Sequence, residues 1–363
     1  MSRLAEAVAH ISPPDGVAAA EARARQSRLT KPAGSLGTLE RLHVQLASIQ
    51  RAALPNVASP VVLVLAADHG VADAGVSAYP KQVTAEMVRN FVRGGAAIDV
   101  LADDAHARLV VADLGIDWQG AEPPSGIVRL PIGPGTANLA DGPAMSLAQA
   151  EASLDAGLQL VSQLVAEGAD LIALGEMGIG NTTASAALIA ALTGRPPRDV
   201  TGLGTGVDPD GWQRKVAVVE RALARSQAGP HDPVGALAEL GGFEIGALAG
   251  ATIGGAAAGV PVVLDGLIVG AAALLAVTIC PAVQPYLIAS HRSVEPGHRI
   301  VLELLELEPL MDLGLRLGEG SGAAISLHLI RLACRLPREM ATFDEAGVSD
   351  RADEPRAAAR REP

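Results

Sequence analysis

The stretch Val61-Val62-Leu63-Val64-Leu65-Ala66-Ala67-Asp68-His69-Gly70 is an unbroken apolar run of strand length that stops on two polar residues and a glycine. A strand with one wet face alternates polar and apolar residues, whereas a continuous apolar run belongs to a strand covered on both faces, as in a parallel sheet. The pattern returns at Arg108-Leu-Val-Val-Ala-Asp113, Asp170-Leu-Ile-Ala-Leu-Gly175, Val260-Pro-Val-Val-Leu264 and Tyr286-Leu-Ile-Ala-Ser290. Helical stretches stand between these runs, over 84–101, 146–167, 182–192 and 212–225. Repeated strand, loop and helix units predict an α/β fold, a doubly wound, mostly parallel, Rossmann-like sheet with right-handed crossovers and ligands at the carboxyl ends of its strands.

The two ends of the chain fall outside that alternation. Residues 1–58 read as helical, with Leu39, Leu42, Leu46 and Ile49 forming one apolar stripe, and helices also follow the last strand. This predicts a large α/β domain over 59–300 and a small helical domain built from 1–58 plus 301–346, the latter carrying the loop around Glu319. Residues 347–363 should be a disordered tail, because from Asp350 onward they are Ala, Pro and charged groups that cannot bury apolar area.

One segment imitates a membrane protein. Between Ile245 and Val283 the only charge is Asp265, in a chain whose mean hydropathy is already +0.30. Glycines at 246, 250, 254, 255 and 259 and Pro261 interrupt it, so it reads as buried helix, strand and helix rather than as a span.

Composition narrows the function. Of 363 residues, 49% are hydrophobic but only 2% aromatic, which leaves few stacking platforms for single-stranded nucleic acid. The net charge of −12 repels phosphate backbones, so no nucleic-acid partner is expected. Cys280 and Cys334 have no metal-ligand or disulfide spacing and read as buried small hydrophobes. The first eleven residues contain Arg3, Glu6 and His10 and no apolar core of a signal peptide, which points to a cytoplasmic protein.

Three glycine-rich turns stand at strand ends or helix starts: Gly175-Glu-Met-Gly178-Ile-Gly180-Asn181-Thr182-Thr183, Thr201-Gly202-Leu-Gly204-Thr205-Gly206 and Gly318-Glu319-Gly320-Ser321-Gly322. Such turns let backbone N–H groups approach a phosphate or carboxylate, although any one of them could merely close a crossover. Neither the P-loop pattern nor a complete dinucleotide fingerprint is present, because position 207 is Val. Paired acids leading into a Thr-Gly turn are missing too, so the expected ligand is a mononucleotide bound without magnesium chemistry. Glu176, Asp265 and Glu319 each sit beside glycine where carboxylates would line the cleft, and Lys215 could supply the opposite charge. Glu319 reads equally as an uncrowded base or as a helix-start charge favoured by the dipole. Asp68-His69 reads first as a hydrogen-bonded loop.

Leu29-Thr-Lys-Pro-Ala-Gly-Ser-Leu-Gly37, Ala67-Asp-His-Gly-Val71, the 175–183 turn, Gly241-Gly-Phe-Glu244, Val263-Leu-Asp-Gly266, Pro285-Tyr-Leu-Ile-Ala-Ser-His291 and Arg316-Leu-Gly-Glu-Gly-Ser-Gly-Ala-Ala324 run in this order along the chain. At these residues the sequence resembles the nicotinate-nucleotide:dimethylbenzimidazole phosphoribosyltransferases of cobalamin lower-ligand synthesis. The resemblance implies a homodimer, with no cofactor or metal, that moves phosphoribose from nicotinate mononucleotide to 5,6-dimethylbenzimidazole with inversion at C1′. It implies that Glu319 is the catalytic base. It further implies that Glu176, Gly178, Gly180, Asn181, Thr182, Gly202, Gly204 and Lys215 hold phosphate and ribose, with Asp265 near ribose hydroxyls. Tyr79, Pro80 and Met87 would shape the base pocket, with Leu317 beside the catalytic glutamate, and Gly320 would also bind substrate. A nucleotide phosphorylase and a non-catalytic nucleotide- or cobamide-binding module are the other readings, distinguished by acceptance of free phosphate and by nicotinate release.

Overall fold

The structure is a computed structural model and describes residues 2–349. It divides into two units, one of residues 2–14 with Val57–Leu329 and one of Asp15–Asn56 with residues from Ile330 onward.

In the larger unit, α1 (Arg3–His10) precedes β1 (Pro60–Ala67), every residue of which is buried. After β1 come α4 (Val83–Val92), α5 (Ala97–Asp104), β2 (Arg108–Gly115) and a two-residue β3 (Val128–Arg129), with α2 (Gly16–Arg28) and α3 (Thr38–Gln50) belonging to the smaller unit. The chain continues through α6 (Leu147–Ala166), β4 (Leu171–Met177), α7 (Asn181–Thr193), a single turn α8 (Pro197–Val200), α9 (Pro209–Arg225) and α10 (Pro233–Leu240). It then runs through α11 (Phe243–Ala258), β5 (Val262–Leu264), α12 (Leu267–Ile279), β6 (Leu287–Ala289), α13 (Pro296–Leu304) and α14 (Ser321–Glu339) before a last turn α15 (Phe343–Ala346).

The six strands form one parallel sheet in the order β3-β2-β1-β4-β5-β6. Leu63 of β1 faces Val110 on one side and Leu174 on the other. The winding reverses between β1 and β4, which is where an open parallel sheet leaves a crevice above its carboxyl ends.

The segment that imitates a membrane span is α11, β5 and α12, and nearly all of it is buried against the sheet and α6. Its glycines are matched by one across the helix contact: a methyl on Gly157 of α6 would overlap the Ala247 carbonyl oxygen of α11. Among the described residues, no helix is long and apolar enough to cross a membrane.

Two expectations change. The helix expected over 84–101 is two helices, α4 and α5, parted at Gly94-Gly95, where the lack of side chains lets the chain turn. The two-residue β3, too short to carry a period in sequence, joins the sheet from the stretch between β2 and α6. The domain boundaries also move: residues 2–14 and 301–329 belong to the larger unit. There the Tyr286 hydroxyl donates to the Ser12 carbonyl at 2.6 Å, and the Leu310 and Met311 N–H groups bond to Ala289 and Ser290 oxygens, both at 3.0 Å.

The smaller unit joins two distant segments. Leu29 bridges Thr342, and Arg25 donates through Nε to the Pro337 carbonyl at 2.9 Å. The Pro- and Gly-rich loop 29–37 is tied on itself, since Glu40 Oε1 accepts from Lys31 Nζ at 2.7 Å and from the Leu36 N–H at 3.0 Å. Of the expected tail, Gly347 and Val348 cap α15 through bonds to Asp344 and Phe343, and residues from 350 lie outside the described residues.

Candidate active site

β4 ends at the crevice and delivers Glu176, which is 6% exposed, to its floor. The Asn181 side-chain amide, at the first position of α7, donates to Glu176 Oε2. Burial pushes the Glu176 carboxyl up to about 8, the nearby Glu244 pushes the same way, and the Asn181 bond opposes both. Gly175, just before it, is where another backbone passes close: a methyl there would stand 2.5 Å from the Glu319 carbonyl oxygen.

The second turn brings charge of the opposite sign. Lys215 on α9 is 1% exposed, and its Nζ donates to Thr182 Oγ1 at 2.9 Å. Burial lowers its ammonium to about 8 against the pull of Glu295. The Gly204 N–H donates to Glu295 Oε1 at 2.8 Å, and Gly202 lies against the same carboxylate. A buried cation beside a hydroxyl and a glycine turn is suited to an anionic oxygen.

The third turn holds Glu319 in an unusual backbone. Gly318, Glu319 and Gly320 have φ of +83°, +62° and +86°, and a left-handed glutamate persists only when its surroundings impose it. Asp265 imposes it, accepting from the N–H groups of Gly320, Gly322 and Ala323 at 3.2, 2.8 and 3.1 Å. The expected uncrowded carboxylate is therefore 5% exposed, with Oε2 buried and, among the described residues, without a partner. Burial raises the Glu319 carboxyl, the Ile98 N–H at the start of α5 lowers it, and Asp99 raises it further.

These groups meet at a cavity of about 680 Å³ in the larger unit. Glu176, Gly178, Asn181, Thr182 and Gly204 line it, as do Glu319, Leu317, Tyr79 and Met87. Lys215, Gly180, Gly202, Pro80 and Gly320 are not among the lining residues, and Pro80 is exposed. Asp265, expected near ribose hydroxyls, is not a wall residue either; both its oxygens are taken by the Glu319 loop. His291, Ser293, Glu295 and Arg316 line the cavity without having been singled out for a role. A strand-end position after β6 was the available signal for the first two. A larger hollow, about 950 Å³, opens around Met145, Gln149 and His231, but its carboxylates are already engaged. There Asp232 caps α10 through the Gly235 N–H and Glu239 pairs with Arg225.

A family model described as Phosphoribosyltransferase matches residues 11–348, which takes in both units and all three glycine turns. The nicotinate-nucleotide–dimethylbenzimidazole phosphoribosyltransferase of Roseiflexus sp. (strain RS-1) is 54% identical over 353 residues, covering 97% of this chain and 100% of that protein. The chain belongs to this phosphoribosyltransferase family. The enzyme of the same name from Pseudomonas putida is 52% identical over 340 residues, 93% of this chain and 96% of its own. The crystal structure of the enzyme so named from Thermus thermophilus superposes with a TM-score of 0.87 at 48% identity, covering 93% of this chain and 99% of that one. A phosphoribosyltransferase must hold a phosphorylated ribose at a fixed angle to two exchanging groups. This cavity is lined both by Glu319 and by Thr182, whose Oγ1 accepts from the buried Lys215 Nζ.

Proposed function

We propose that this chain transfers phosphoribose from nicotinate mononucleotide to 5,6-dimethylbenzimidazole, giving α-ribazole 5′-phosphate and nicotinate, with Glu319 as general base. The observation that carries the assignment of the base is the unpartnered, buried Glu319 oxygen at a cavity also lined by Thr182, whose hydroxyl accepts from the buried Lys215. The relatives' names pair the two substrates.

In this reading the 5′-phosphate sits against Thr182 and the 201–206 turn, with Lys215 supplying positive charge. Glu176 and Asn181 face the ribose, and Asp265 acts by holding the Glu319 loop. Tyr79, Met87 and Leu317 cover the acceptor ring. One benzimidazole nitrogen attacks C1′ as the bond to the pyridinium nitrogen breaks, and that bonding pair leaves with nicotinate. The donor ring departs neutral, so its departure requires no metal. Attack makes the other benzimidazole N–H acidic, and Glu319 accepts that proton across about 2.6–3.2 Å. Backside displacement converts the β-nucleotide to the α-product. Burial raises the Glu319 carboxyl, which makes its carboxylate a stronger base than an exposed one. We further propose that the working species is a homodimer, which light scattering would test.

The decisive variant is Glu319→Gln. Turnover should fall about 10²- to 10⁴-fold, while nicotinate mononucleotide titrated into the variant binds within a few-fold of wild type. Turnover close to wild type would remove Glu319 from the role of base.

A further inference from the structure

Under the turn that forms the donor side of the cavity lies a buried pair that the proposed chemistry does not use. Glu244, in the first turn of α11, and His69, at the end of β1, are each fully buried, and His69 Nε2 lies 2.6 Å from Glu244 Oε1. The remaining atoms, His69 Nδ1 and Glu244 Oε2, are buried and have no partner among the described residues. A buried polar atom left unpaired is costly, and an apolar pair of similar volume would often be as stable. Stability alone is a poor account of this dyad.

Its surroundings suggest what it does. A methyl on Gly178, a cavity residue, would come within 3.3 Å of both Glu244 Oε1 and His69 Cδ2. A methyl on Gly180 would meet His69 Cβ at 3.3 Å, and one on Gly242 would overlap His69 Cε1. The His69 side chain thus lies against the 178–180 turn, its ring toward Gly178 and its Cβ toward Gly180. From the other side, Thr84 Oγ1 accepts the Ile179 N–H at 3.1 Å. Directly after this turn comes Asn181, whose amide holds Glu176. A rotation of the imidazole would press on Gly178 and, through the turn that follows it, on the Asn181–Glu176 pair.

We propose that Glu244 is a positioning residue for the donor site: its carboxylate fixes the His69 ring, and the ring fixes the 178–180 turn. This rests on the functional reading above. The hydrogen bond, rather than the charge, carries the effect, because the ring's orientation is what the turn reads.

The test is steady-state kinetics of the full chain with each substrate varied, beside the thermal midpoint without ligand. Glu244→Ala should lower kcat/KM for nicotinate mononucleotide by about 100-fold, the scale of a misplacement of about 1 Å, and leave KM for dimethylbenzimidazole within about two-fold. Glu244→Gln keeps an oxygen able to accept the imidazole N–H and should recover to within about three-fold of wild type. If Glu244→Ala does not fold, Glu244→Asp withdraws the oxygen by about one bond length, 1.5 Å, and should show the same donor-side loss. Near-wild-type kinetics in Glu244→Ala or Glu244→Asp overturns the proposal. So does a Gln variant as defective as the Ala or Asp variant it is compared with, or a loss shared equally by both substrates. A wild-type protein that forms no product overturns the functional reading and this inference together; a wild type that turns over beside an unaffected variant overturns the inference alone.

Discussion

Asp265 holds Gly322: its Oδ1 accepts the Gly322 N–H at 2.8 Å, and the same carboxylate takes the N–H groups of Gly320 and Ala323. One buried carboxylate after β5 thereby satisfies the start of α14 and sets the left-handed turn that presents Glu319.

Asp265→Asn should uncouple that turn. An amide has one accepting oxygen, and its NH₂ would face a backbone N–H where the carboxylate had offered an acceptor. The expected result is a loss of about 1–3 kcal/mol in stability with a fall in kcat of at least about ten-fold, as a catalytic group shifts off its productive geometry. Hydrogen exchange over 316–323 should quicken. Unchanged exchange there with unchanged kcat would show that the turn does not depend on Asp265.

The pH dependence of stability has a definite sign. Glu176 rises from 4.5 to about 8 and Asp265 from 3.8 to about 7, both through burial. The fold keeps protons that the unfolded chain has released, so their stability contribution is full below the unfolded values and is lost as pH rises toward the folded ones. Burial lowers His43, His291 and His298, which adds stability as pH rises to 6.5 and masks the lower half of the decline. Between about pH 7 and 8 the slope belongs chiefly to Glu176, on the order of 1 kcal/mol per unit. Lys215, lowered from 10.5 to about 8, reverses it above pH 8. Urea unfolding of the ligand-free protein should show a minimum near pH 8, and Glu176→Gln should flatten the approach to it. A slope that persists in Glu176→Gln would place its origin elsewhere.

Lys215→Met separates binding from folding. A methionine fills most of the lysine's volume without a buried charge, so stability should hold within about 1.5 kcal/mol. Affinity for nicotinate mononucleotide should fall at least about ten-fold, the order of one charge-assisted hydrogen bond. Calorimetric titration that returns the wild-type affinity would remove Lys215 from the phosphate site.

The sheet was legible because its signal is local: Val61 to Ala67 is an unbroken apolar run of strand length, bounded by polar residues and glycine, as a strand covered on both faces requires. Glu176 and Glu319 were legible as cavity residues for a related reason, standing beside glycines where a strand ends or a helix begins, and Thr182 follows two residues after Gly180. What each carboxylate does was not. Asp265 and Glu319 look alike in sequence, one acid beside glycine each, yet one is consumed by backbone N–H groups and the other keeps a free oxygen. The same holds for His69, which reads as an ordinary loop residue until Glu244 is brought to it from 175 positions away. The domain boundary near 300 was missed because helical periodicity does not say which core a helix joins; that follows from bonds such as Met311 to Ser290. Sequence determined the strands, the turns and the residue types available for chemistry, since these depend on neighbours a few positions apart. Only the tertiary structure decided which buried polar atoms are satisfied and which remain open, because that depends on long-range contacts no local pattern encodes.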